Sequence, residues 1–379
     1  MRSAVHKSID EVDQDQWNAL SGTGSPFLRH EFLAALEHAG CVGRRTGWAP
    51  SYVTLSDEHG VAAAAPVFAK SHSRGEFVFD WGWADAYHRV GLDYYPKLSV
   101  AVPFTPATGP RLLVRPGLDA RKTSAALLNS IEGFAAGNSL SSAHALFVNE
   151  ADRETCERAG WLLRRDCQFH WTNRGYADFD AFLETFTAEK RKKARRERRR
   201  VAEAGISFQT HIGGNMDSRL LDRVYAFHRD TFLRHGHEPY LTRAFFSEIV
   251  RTLPEALMVK VALQEGSPIA CAIFFQSADT LYGRYWGADA EQHSLHFETC
   301  YHQGVDYCIE RGLKRFEPGT QGEHKVARGF EPTLTWSAHF ITDRRFRAAI
   351  DDYLLREGSS IDAYADEIRE HVPFRNPQA

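Results

Sequence analysis

The chain has 379 residues and a mass of 42.9 kDa, a length at which a single hydrophobic core is unusual. Apolar residues make up 43% and charged residues 25%, the balance of a globular protein. The longest apolar stretch, Val61–Ala69, is too short for a membrane span, and the acidic N-terminus excludes the apolar core of a signal peptide. We therefore expect a cytoplasmic protein of two domains.

The formal net charge of −3 gives no overall field that would attract nucleic acid, and no DNA partner is expected. The six cysteines include no Cys-x-x-Cys pair, so neither a structural zinc site nor a redox pair is indicated, and no metal is expected. Cations are nevertheless concentrated in Lys190–Arg200, which holds nine of the 46 lysines and arginines. Because the charges of 189–200 cover every face of a helix, this segment is either solvated or bound to RNA, a nucleotide cofactor or an anionic membrane surface.

In chain order, the pattern predicts hairpins and helices in both halves. The first half is expected to contain a hairpin of 53–55 with 61–68, a strand Ala143–Asn149, a helix Ala151–Ala159 and a strand Trp161–Phe169. The second half is expected to contain helices Phe179–Phe186, Met216–His235 and Leu241–Thr252, a hairpin of 259–263 with 269–275, a helix His296–Arg311, a strand Lys314–Glu317, and terminal helices Arg345–Glu357 and Ile361–His371. Hairpins mixed with helices indicate a mixed α/β sheet.

The two hairpins are part of an internal echo. Gly60 to Phe68 and Gly266 to Phe274 have the same spacing, and the stretch Asp80–Ala86 corresponds to Arg284–Ala290, 204 positions later. A repeat of this period predicts two domains of one fold, because solenoid repeats are much shorter.

The densest polar cluster follows the predicted strand Lys314–Glu317. Its loop contains three glycines and the ionisable residues Glu323, His324, Lys325 and Arg328. Glycines let a backbone approach a ligand, and a Glu-His pair offers general-base chemistry near neutral pH. The alternative is a solvated turn with a local network of ion pairs.

Three further stretches are candidates for binding. Arg284 and Tyr285 lie among aromatic residues on a predicted strand, and His296 and Glu298 fall in the first turn of the next helix. In the first half the candidates are Asp80, Trp81, Tyr95 and Lys97, together with the proline-rich loop Pro103–Arg111. Core aromatics, favourable helix-dipole charges and strand ends explain these residues equally well.

Several standard signatures are missing from the sequence. It contains no GxGxxG, no P-loop GxxxxGK[ST], no HExxH and no GxSxG. Metal, nucleotide-hydrolysis and serine-hydrolase chemistry therefore have no positive support.

Several long motifs resemble one bacterial family, the Fem-like predicted N-acyltransferases of peptidoglycan biosynthesis/recognition. The matching motifs are Ser25–Leu28, Gly75–Trp81, Tyr94–Leu98, Pro103–Pro106, Gly109–Leu113, Leu281–Gly287, Leu295–Glu298, Gln321–Lys325 and Ala327–Phe330. The resemblance implies an α/β fold of two tandem GNAT-like domains, each a mixed, mostly antiparallel sheet flanked by helices. We place these domains at 1–170 and 171–379, with a basic helix at 189–200 and a helical C-terminal end.

The resemblance also implies direct attack of an amine on an activated acyl group, held by backbone N–H groups at a splayed strand. Under this hypothesis Glu323 or His324 accepts the proton, and Lys325 and Arg328 bind a phosphate-bearing substrate. The remaining binding residues would be Asp80, Trp81, Tyr95, Lys97, Arg284, Tyr285, His296 and Glu298. Several of them are expected to line a cleft between the domains.

The identity of the substrates stays open at this stage. The donor is a thioester, either acyl-CoA or an acyl carrier protein, or alternatively an aminoacyl-tRNA used on a cell-wall precursor. Lys190–Arg200 suits either macromolecular donor because both are acidic, and a peripheral membrane contact is a further option. The acceptor is a small-molecule or lipid amine. The alternative from another class is a non-catalytic module that recognises peptidoglycan precursors or RNA.

Overall fold

The computed structural model describes residues 1–20, 22, 24–289, 292–320 and 322–375. The strands, in chain order, are β1 Arg2–His6, β2 Trp48–Pro50, β3 Tyr52–Asp57, β4 Gly60–Ala65, β5 Val67–Lys70, β6 Lys97–Val100, β7 Leu113–Val114, β8 Ser142–Val148, β9 Leu162–Thr172, β10 Ile206–Ile212, β11 Leu257–Gln264, β12 Ser267–Gln276, β13 Thr280–Ala288, β14 Arg315–Glu317 and β15 Glu331–Ile341. The helices are α1 Gln14–Asn18, α2 His30–His38, α3 Trp81–Arg89, α4 Ala120–Gly137, α5 Glu150–Arg158, α6 Phe179–Glu184, α7 Ala188–Glu203, α8 Ser218–Arg234, α9 Arg243–Thr252, α10 Leu295–Phe297, α11 Gln303–Arg311 and α12 Arg344–Arg369.

The chain divides into two compact units. The first consists of Met1–Asp166 and Leu334–Ala363, and the second of Cys167–Thr333 with the segment that begins at Tyr364. The sequence placed all residues after 170 in the second domain, whereas Leu334–Ala363 belongs to the first unit. The reason is that most of β15 pairs antiparallel with β8, so the chain returns to the first sheet near its end.

The first unit contains two sheets. One has the strand order β1-β3-β4-β7, and the other includes β15, β8, β6, β5 and β2 in that order. The predicted hairpin is confirmed as β3 and β4, which turn at Gly60. Strands β6 and β8 pair in parallel, which joins Leu98–Val100 to Ala143–Ala145, whereas β1–β3, β3–β4, β4–β7, β15–β8, β2–β5 and β5–β6 pair antiparallel. Alternating Val, Leu and Ala side chains of these strands form a core against α4.

The second unit is built on one sheet that includes β10, β11, β12, β13, β14 and the second half of β9 in that order. The second predicted hairpin is confirmed as β11 and β12. The predicted helix and short strand after it are confirmed in α10–α11, which Gly312 ends in the left-handed conformation, and in β14. The fold prediction of mixed, mostly antiparallel sheets flanked by helices is therefore confirmed.

One part of the internal echo is wrong. Trp81–Arg89 forms helix α3, whereas the corresponding residues Arg284–Ala288 lie in strand β13; Ala290 lies outside the described residues. In α3 the aromatic side chains of Trp83 and Tyr87 are four residues apart and both buried, which is the spacing of a helix face. Two similar stretches of sequence thus form different secondary structures, a helix in the first unit and a strand in the second.

The basic helix α7 also differs from the expectation of charge on every face. Ala194, Glu197 and Val201 are buried and form an inner stripe, while the outer face is exposed. Val201 lies just outside the basic segment, Ala194 is small, and Glu197 can be buried because it pairs with Arg328 and forms a hydrogen bond with His302. In the described part of the chain, no helix combines the length and the apolar character that membrane crossing requires.

Candidate active site in the second unit

The sheet of the second unit opens between β13 and β14. Their parallel pairing covers only Thr280–Tyr282 against Arg315–Glu317, after which β13 continues for six residues. Gly283, the first residue after this pairing, lets the chain beyond β14 pass close to β13, since a Cβ there would lie 3.1 Å from the Cα of Pro318. The edge of β13 beyond Tyr282 therefore borders an open wedge.

A β-bulge in β13 lies directly at this wedge. Tyr285 pairs with Ile273 and Gly283 with Phe274, so Arg284 is the extra residue of the bulged strand. Bulges redirect side chains and interrupt the regular hydrogen bonds of a strand, and they are frequent next to active sites. The predicted residues Arg284 and Tyr285 thus border the wedge.

A cavity of about 140 Å³ fills the wedge. Its walls come from β12, β13, the helical segment after β13 and the end of β14: Ala272, Ile273, Phe274, Gly283, Arg284, Tyr285, Trp286, His296, Cys300, Tyr301 and Pro318. The cavity thus joins backbone with a few polar side chains, the combination typical of small-molecule sites.

A π-helical turn shapes the wall formed by the helical segment. Residues Glu298–His302 form a π-helix between α10 and α11. The wider turn brings His296 and Tyr301 together although they are five residues apart, with ring centroids at 5.5 Å. Such π-turns inside α-helices are frequent at functional sites.

His324 meets this wall from the loop after β14. It lies in a 3-10 turn, Glu323–Arg328, and its Nε2 is 2.9 Å from the hydroxyl of Tyr301. Its ring also contacts those of His296 and Phe297, at centroid distances of 6.1 and 5.5 Å. Partial burial and the nearby cations of Lys325 and Arg328 lower the pKa of His324. The imidazole is therefore neutral at pH 7 and can accept a proton.

His296 and Tyr301, the two partners of His324 on the helical segment, have fixed protonation states near neutral pH. Burial, reinforced by His324, Arg328 and Lys325, lowers the pKa of His296 to about 4. Burial raises the pKa of the Tyr301 hydroxyl, which therefore stays protonated near neutral pH. The pair of Tyr301 and His324 thus forms a connected donor and acceptor at the edge of the wedge.

The two cations expected to bind phosphate are buried instead. Nζ of Lys325 donates to the carbonyl of Gly319 at 2.7 Å, and burial lowers the pKa of this lysine to about 7. Arg328 donates to Glu197 at 2.7 Å and to the carbonyl of His324 at 2.5 Å. Both side chains hold the loop together, because buried donors require partners within the protein.

The two carboxylates predicted for the site, Glu323 and Glu298, lie in different environments. Glu323 is exposed and accepts a hydrogen bond from the hydroxyl of Tyr364 at 2.9 Å. Glu298 is buried, accepts from the Gln303 side chain at 2.7 Å and lies 3.3 Å from Nε of Arg198. Glu323 and His324 were the two candidate proton acceptors. His324 contacts Tyr301, which lines the cavity, whereas the hydrogen bond of Glu323 goes to Tyr364, which does not.

One larger groove shares residues with the wedge, and a second groove adjoins the first. The first groove, of about 700 Å³, shares Trp286 and His296 with the wedge and also includes His293 and Arg234. A second groove, of about 470 Å³, shares His293 and reaches Arg200 and Val201 at the end of α7. Nε2 of His293 lies 3.3 Å from the Arg200 guanidinium. The surface therefore leads from the wedge to the basic helix.

The predicted site residues of the first unit lie in its interior. Lys97 is fully buried, with Nζ 2.7 Å from Glu76 and in contact with Asp80. Burial acts against the charge of Lys97, but the two carboxylates outweigh it and raise its pKa. Asp80 and Lys97 are thus paired with each other and are unavailable to a substrate in this structure.

The other two predicted residues of the first unit differ from this pair. The Tyr95 hydroxyl bonds Ser73 at 2.9 Å, and Ser73 in turn accepts from Lys97. Trp81 is 53% exposed and lies beside Phe79. The structure therefore does not bring these two side chains to one site.

The corresponding opening of the first unit is closed by its own chain. After the parallel pairing of β6 and β8, the proline-rich loop continues along β8, where Gly109 bonds the carbonyl of Phe147 at 3.0 Å. The buried Arg111 guanidinium donates to the carbonyls of Leu146 and Ala107 at 2.8 and 2.7 Å. This loop fills the first unit rather than holding a substrate there.

Tyr301, Glu197 and Cys300 were not predicted from the sequence as site residues. Tyr301 lies five residues from His296, a spacing that points to opposite sides of a regular α-helix and becomes one face only in a π-turn. Glu197 was hidden among nine cations of the basic segment. The sequence nevertheless contains one indication of its role: a single acidic residue among cations can be the one that faces the protein interior and pairs with a buried cation there.

Within the described residues, no group of three or more His, Cys, Asp or Glu could hold a metal ion.

Solved structures share this fold along most of the chain. FemX is similar with a TM-score of 0.55 and 11% identity, covering 93% of this chain and 100% of its own. The C-terminal domain of a protein described as a lysylphosphatidylglycerol synthetase from Agrobacterium fabrum has a TM-score of 0.54 and 12% identity, covering 92% and 98%. L-PGS from Bacillus licheniformis has a TM-score of 0.52 and 11% identity, covering 86% and 96%. At these identities the likeness establishes the fold alone, which this chain shares with FemX.

The family assignment rests on the sequence. No protein of curated function matches the chain. The model of the FemAB-like family, described as peptidoglycan biosynthesis/recognition, matches residues 8–376. This range includes nearly the whole chain and all the motifs of the predicted resemblance. The protein therefore belongs to the FemAB-like family.

Proposed function

We propose that the second unit transfers an acyl group from a thioester, carried by coenzyme A or by an acyl carrier protein, to an amine. The observation that carries this proposal is the open wedge between β13 and β14, bordered by the Tyr301–His324 pair. The wedge provides backbone, and the pair provides a donor and an acceptor of protons. Direct transfer needs no more than these and a positioned amine.

The backbone edge of β13 is suited to the acyl donor. A chain of amide groups, such as the arm of a carried thioester, can add to an open strand edge as an extra strand would. N–H groups of the same edge can bind the oxyanion that forms when the carbonyl is attacked. The pairing with β14 ends at Tyr282, and the bulge at Arg284 interrupts the regular strand, so this edge of β13 is left for the donor.

The proton steps follow from the states of the two side chains. An ammonium acceptor gives up two protons in all, and the first leaves to solvent through His324, which is neutral at pH 7. Attack of the amine then forms the C–N bond, and collapse of the oxyanion breaks the C–S bond. The leaving sulfur receives a proton from Tyr301, the N–H at Nε2 of His324 restores the phenol, and the other ring nitrogen of His324 takes the second proton of the amine.

The grooves and α7 are proposed to receive the carrier. The cations on the outer face of α7, Lys192, Lys193, Arg195, Arg196, Arg199 and Arg200, are exposed. His293 and Arg200 line the path from this face to the wedge. An acidic carrier bound at α7 could therefore extend its thioester into the wedge, whereas coenzyme A would need only the grooves.

A second candidate is transfer from aminoacyl-tRNA to a cell-wall precursor. Membership in the FemAB-like family favours it, and so does the similarity of the fold to FemX. An ester would be cleaved at the same wedge by the same proton steps. The phosphates of RNA are as well suited to α7 as an acidic protein, because backbone binding needs cations without base stacking.

The function is tested by single-turnover transfer to an amine panel, with acetyl-CoA, palmitoyl-CoA, palmitoyl-acyl carrier protein and charged tRNA as donors. We expect transfer from a thioester; transfer from charged tRNA alone would establish the second candidate instead. Binding without transfer from any donor would favour a recognition module.

The role of α7 is tested by replacing Lys192, Lys193, Arg196 and Arg199 with Gln. We expect a higher KM for a macromolecular donor with an unchanged kcat, and a weaker dependence of KM on salt. The matched control replaces the exposed cations Arg121 and Lys122 of α4 with Gln. An equal effect of both variants would contradict a specific docking face.

A further inference from the structure

We propose that Glu197 is a positioning residue, which holds Arg328 from the inner face of α7 and thereby fixes the turn that carries His324. This inference rests on the function proposed above, because it assigns His324 to proton transfer. Glu197 does not contact the wedge itself and has no place in the proton steps. Its effect passes through Arg328.

Both oxygens of the Glu197 carboxylate form hydrogen bonds with buried side chains. Oε1 accepts from the Arg328 guanidinium at 2.7 Å, and Oε2 lies 3.0 Å from Nε2 of His302, in the π-helix. All three side chains are buried, with exposed fractions of 7%, 4% and 2% for Glu197, Arg328 and His302. One carboxylate thus joins α7, the π-turn and the 3-10 turn.

Arg328 transmits this contact to His324 in two ways. Its second terminal nitrogen donates to the carbonyl of His324, which fixes the backbone of that residue. Its guanidinium lies 3.5 Å from the ring centre of Phe297, and the Phe297 ring packs on the imidazole of His324. Backbone and ring of His324 are therefore both held by a side chain whose charge Glu197 balances.

The charge of Glu197 also influences the protonation of His324. The groups that face His324 are Lys325 and Arg328 from its own turn and His296 and Tyr301 from the helical segment. The cations of Lys325 and Arg328 both act to lower its pKa, after burial. Loss of the carboxylate would leave Arg328 unbalanced, so the pKa of His324 should fall further.

The His302 contact explains why a carboxylate is suited to this position. Burial acts to raise the pKa of Glu197, but the hydrogen bond with His302 and the charge of Arg328 outweigh it, and the pKa is lowered. The residue therefore stays charged over the pH range in which His324 is neutral. An amide in its place could accept from one partner through its oxygen but would carry no charge.

The test compares Glu197→Gln and Glu197→Asp with Glu203→Gln, which removes an exposed carboxylate of the same helix. For Glu197→Gln we expect a decrease in kcat of about 10- to 100-fold with the donor KM changed by less than about 3-fold, since a small misplacement of the acceptor suffices. Glu197→Asp should restore part of the rate, and Glu203→Gln should have none of these effects. An unchanged kcat in Glu197→Gln would overturn the proposal.

A second readout does not depend on activity. NMR titration of the His324 imidazole should show a lower pKa in Glu197→Gln than in the unchanged protein and in Glu203→Gln. If the unchanged protein transfers no acyl group, the proposed function fails, but this titration still decides the role of Glu197. An identical titration in all three proteins would contradict it.

A third variant covers the case in which Glu197→Gln does not fold. The double variant Glu197→Gln with Arg328→Met removes both buried charges and leaves neither unpaired. We expect it to fold and to show the same decrease in kcat, because the turn has lost its connection to α7. Full activity of this double variant would overturn the proposal.

Discussion

The hydroxyl of Tyr301 lies 2.9 Å from Nε2 of His324, although the two residues are 23 positions apart and on different elements. The π-turn places Tyr301 beside His296, and the 3-10 turn places His324 opposite it. Two irregular segments of backbone are thus needed to form one hydrogen bond. We take this pair as the centre of the site in the second unit.

The two adjacent acid-base candidates Glu323 and His324 should respond differently to substitution. His324→Ala should lower kcat by about 10²- to 10⁴-fold, the usual contribution of a general base. Glu323→Gln should change kcat by less than about 3-fold, because this side chain bonds Tyr364 rather than a residue that lines the cavity. Steady-state kinetics of both variants check this. An equal decrease in kcat in the two variants would contradict the assignment of His324 as the proton acceptor.

Removal of one hydroxyl tests the partner of His324. Tyr301→Phe should lower kcat by about 10- to 100-fold while the fold and the donor affinity remain, because the leaving group loses its proton donor. The matched control is Tyr307→Phe, whose hydroxyl bonds the Gln276 side chain at 2.8 Å on the same helical segment. Rates and thermal midpoints of both proteins are compared. A rate for Tyr301→Phe equal to that of the control would exclude the proposed proton donor.

The buried pair in the first unit should affect stability rather than catalysis. Lys97→Met leaves Glu76 and Asp80 buried without their cation, and loss of one partner from such a cluster costs about 3–5 kcal/mol of unfolding free energy. Urea unfolding measures this loss, and the exposed Lys122→Met serves as a control. Folded Lys97→Met should retain its substrate KM values. A raised acceptor KM with normal stability would return Lys97 to substrate binding.

Stability should fall with pH through buried neutral histidines. His228 is fully buried among aromatic rings, and burial lowers its pKa to about 4. Between pH 6.5 and about 4 the unfolded state therefore binds the extra proton, so the free energy of unfolding decreases as pH falls in this window.

Replacement of this histidine by Phe isolates its share. The difference in unfolding free energy between the protein and His228→Phe should change by about 1.4 kcal/mol per pH unit below the unfolded pKa. Urea unfolding at pH 7 and pH 5 measures it. Parallel stabilities of the two proteins across this range would show that His228 is not the titrating group.

The sequence predicted those parts of the fold that depend on short local motifs. Gly60 and Gly266 mark the two hairpins, and Gly312 marks the end of the helix before β14. The return of Leu334–Ala363 to the first unit was not accessible, since it depends on pairing of β15 with a strand almost 200 residues earlier. Long-range pairing leaves no short motif in the chain.

The site was predicted in part for similar reasons. Arg284, Tyr285, His296 and His324 were found because unusual residue types cluster in a loop or strand. Asp80 and Lys97 have the same types but neutralise each other inside the first unit, a pairing between residues 17 positions apart. Tyr301 and Glu197 were missed because their roles depend on a π-turn and on which face of α7 is buried.

The most direct test of the account is binding of a donor at the wedge. Native mass spectrometry and thermal shift would compare the protein with Gly283→Ala, whose added methyl group meets the backbone at Pro318, and with Gly133→Ala on α4, where the space is open. The donors are acetyl-CoA, palmitoyl-CoA, palmitoyl-acyl carrier protein and charged tRNA. We predict that a thioester donor at 100 times its Kd stabilises the protein and Gly133→Ala by about 2.7 kcal/mol, and Gly283→Ala much less. Equal stabilisation of all three proteins, or no binding of any donor, would contradict a site at this wedge.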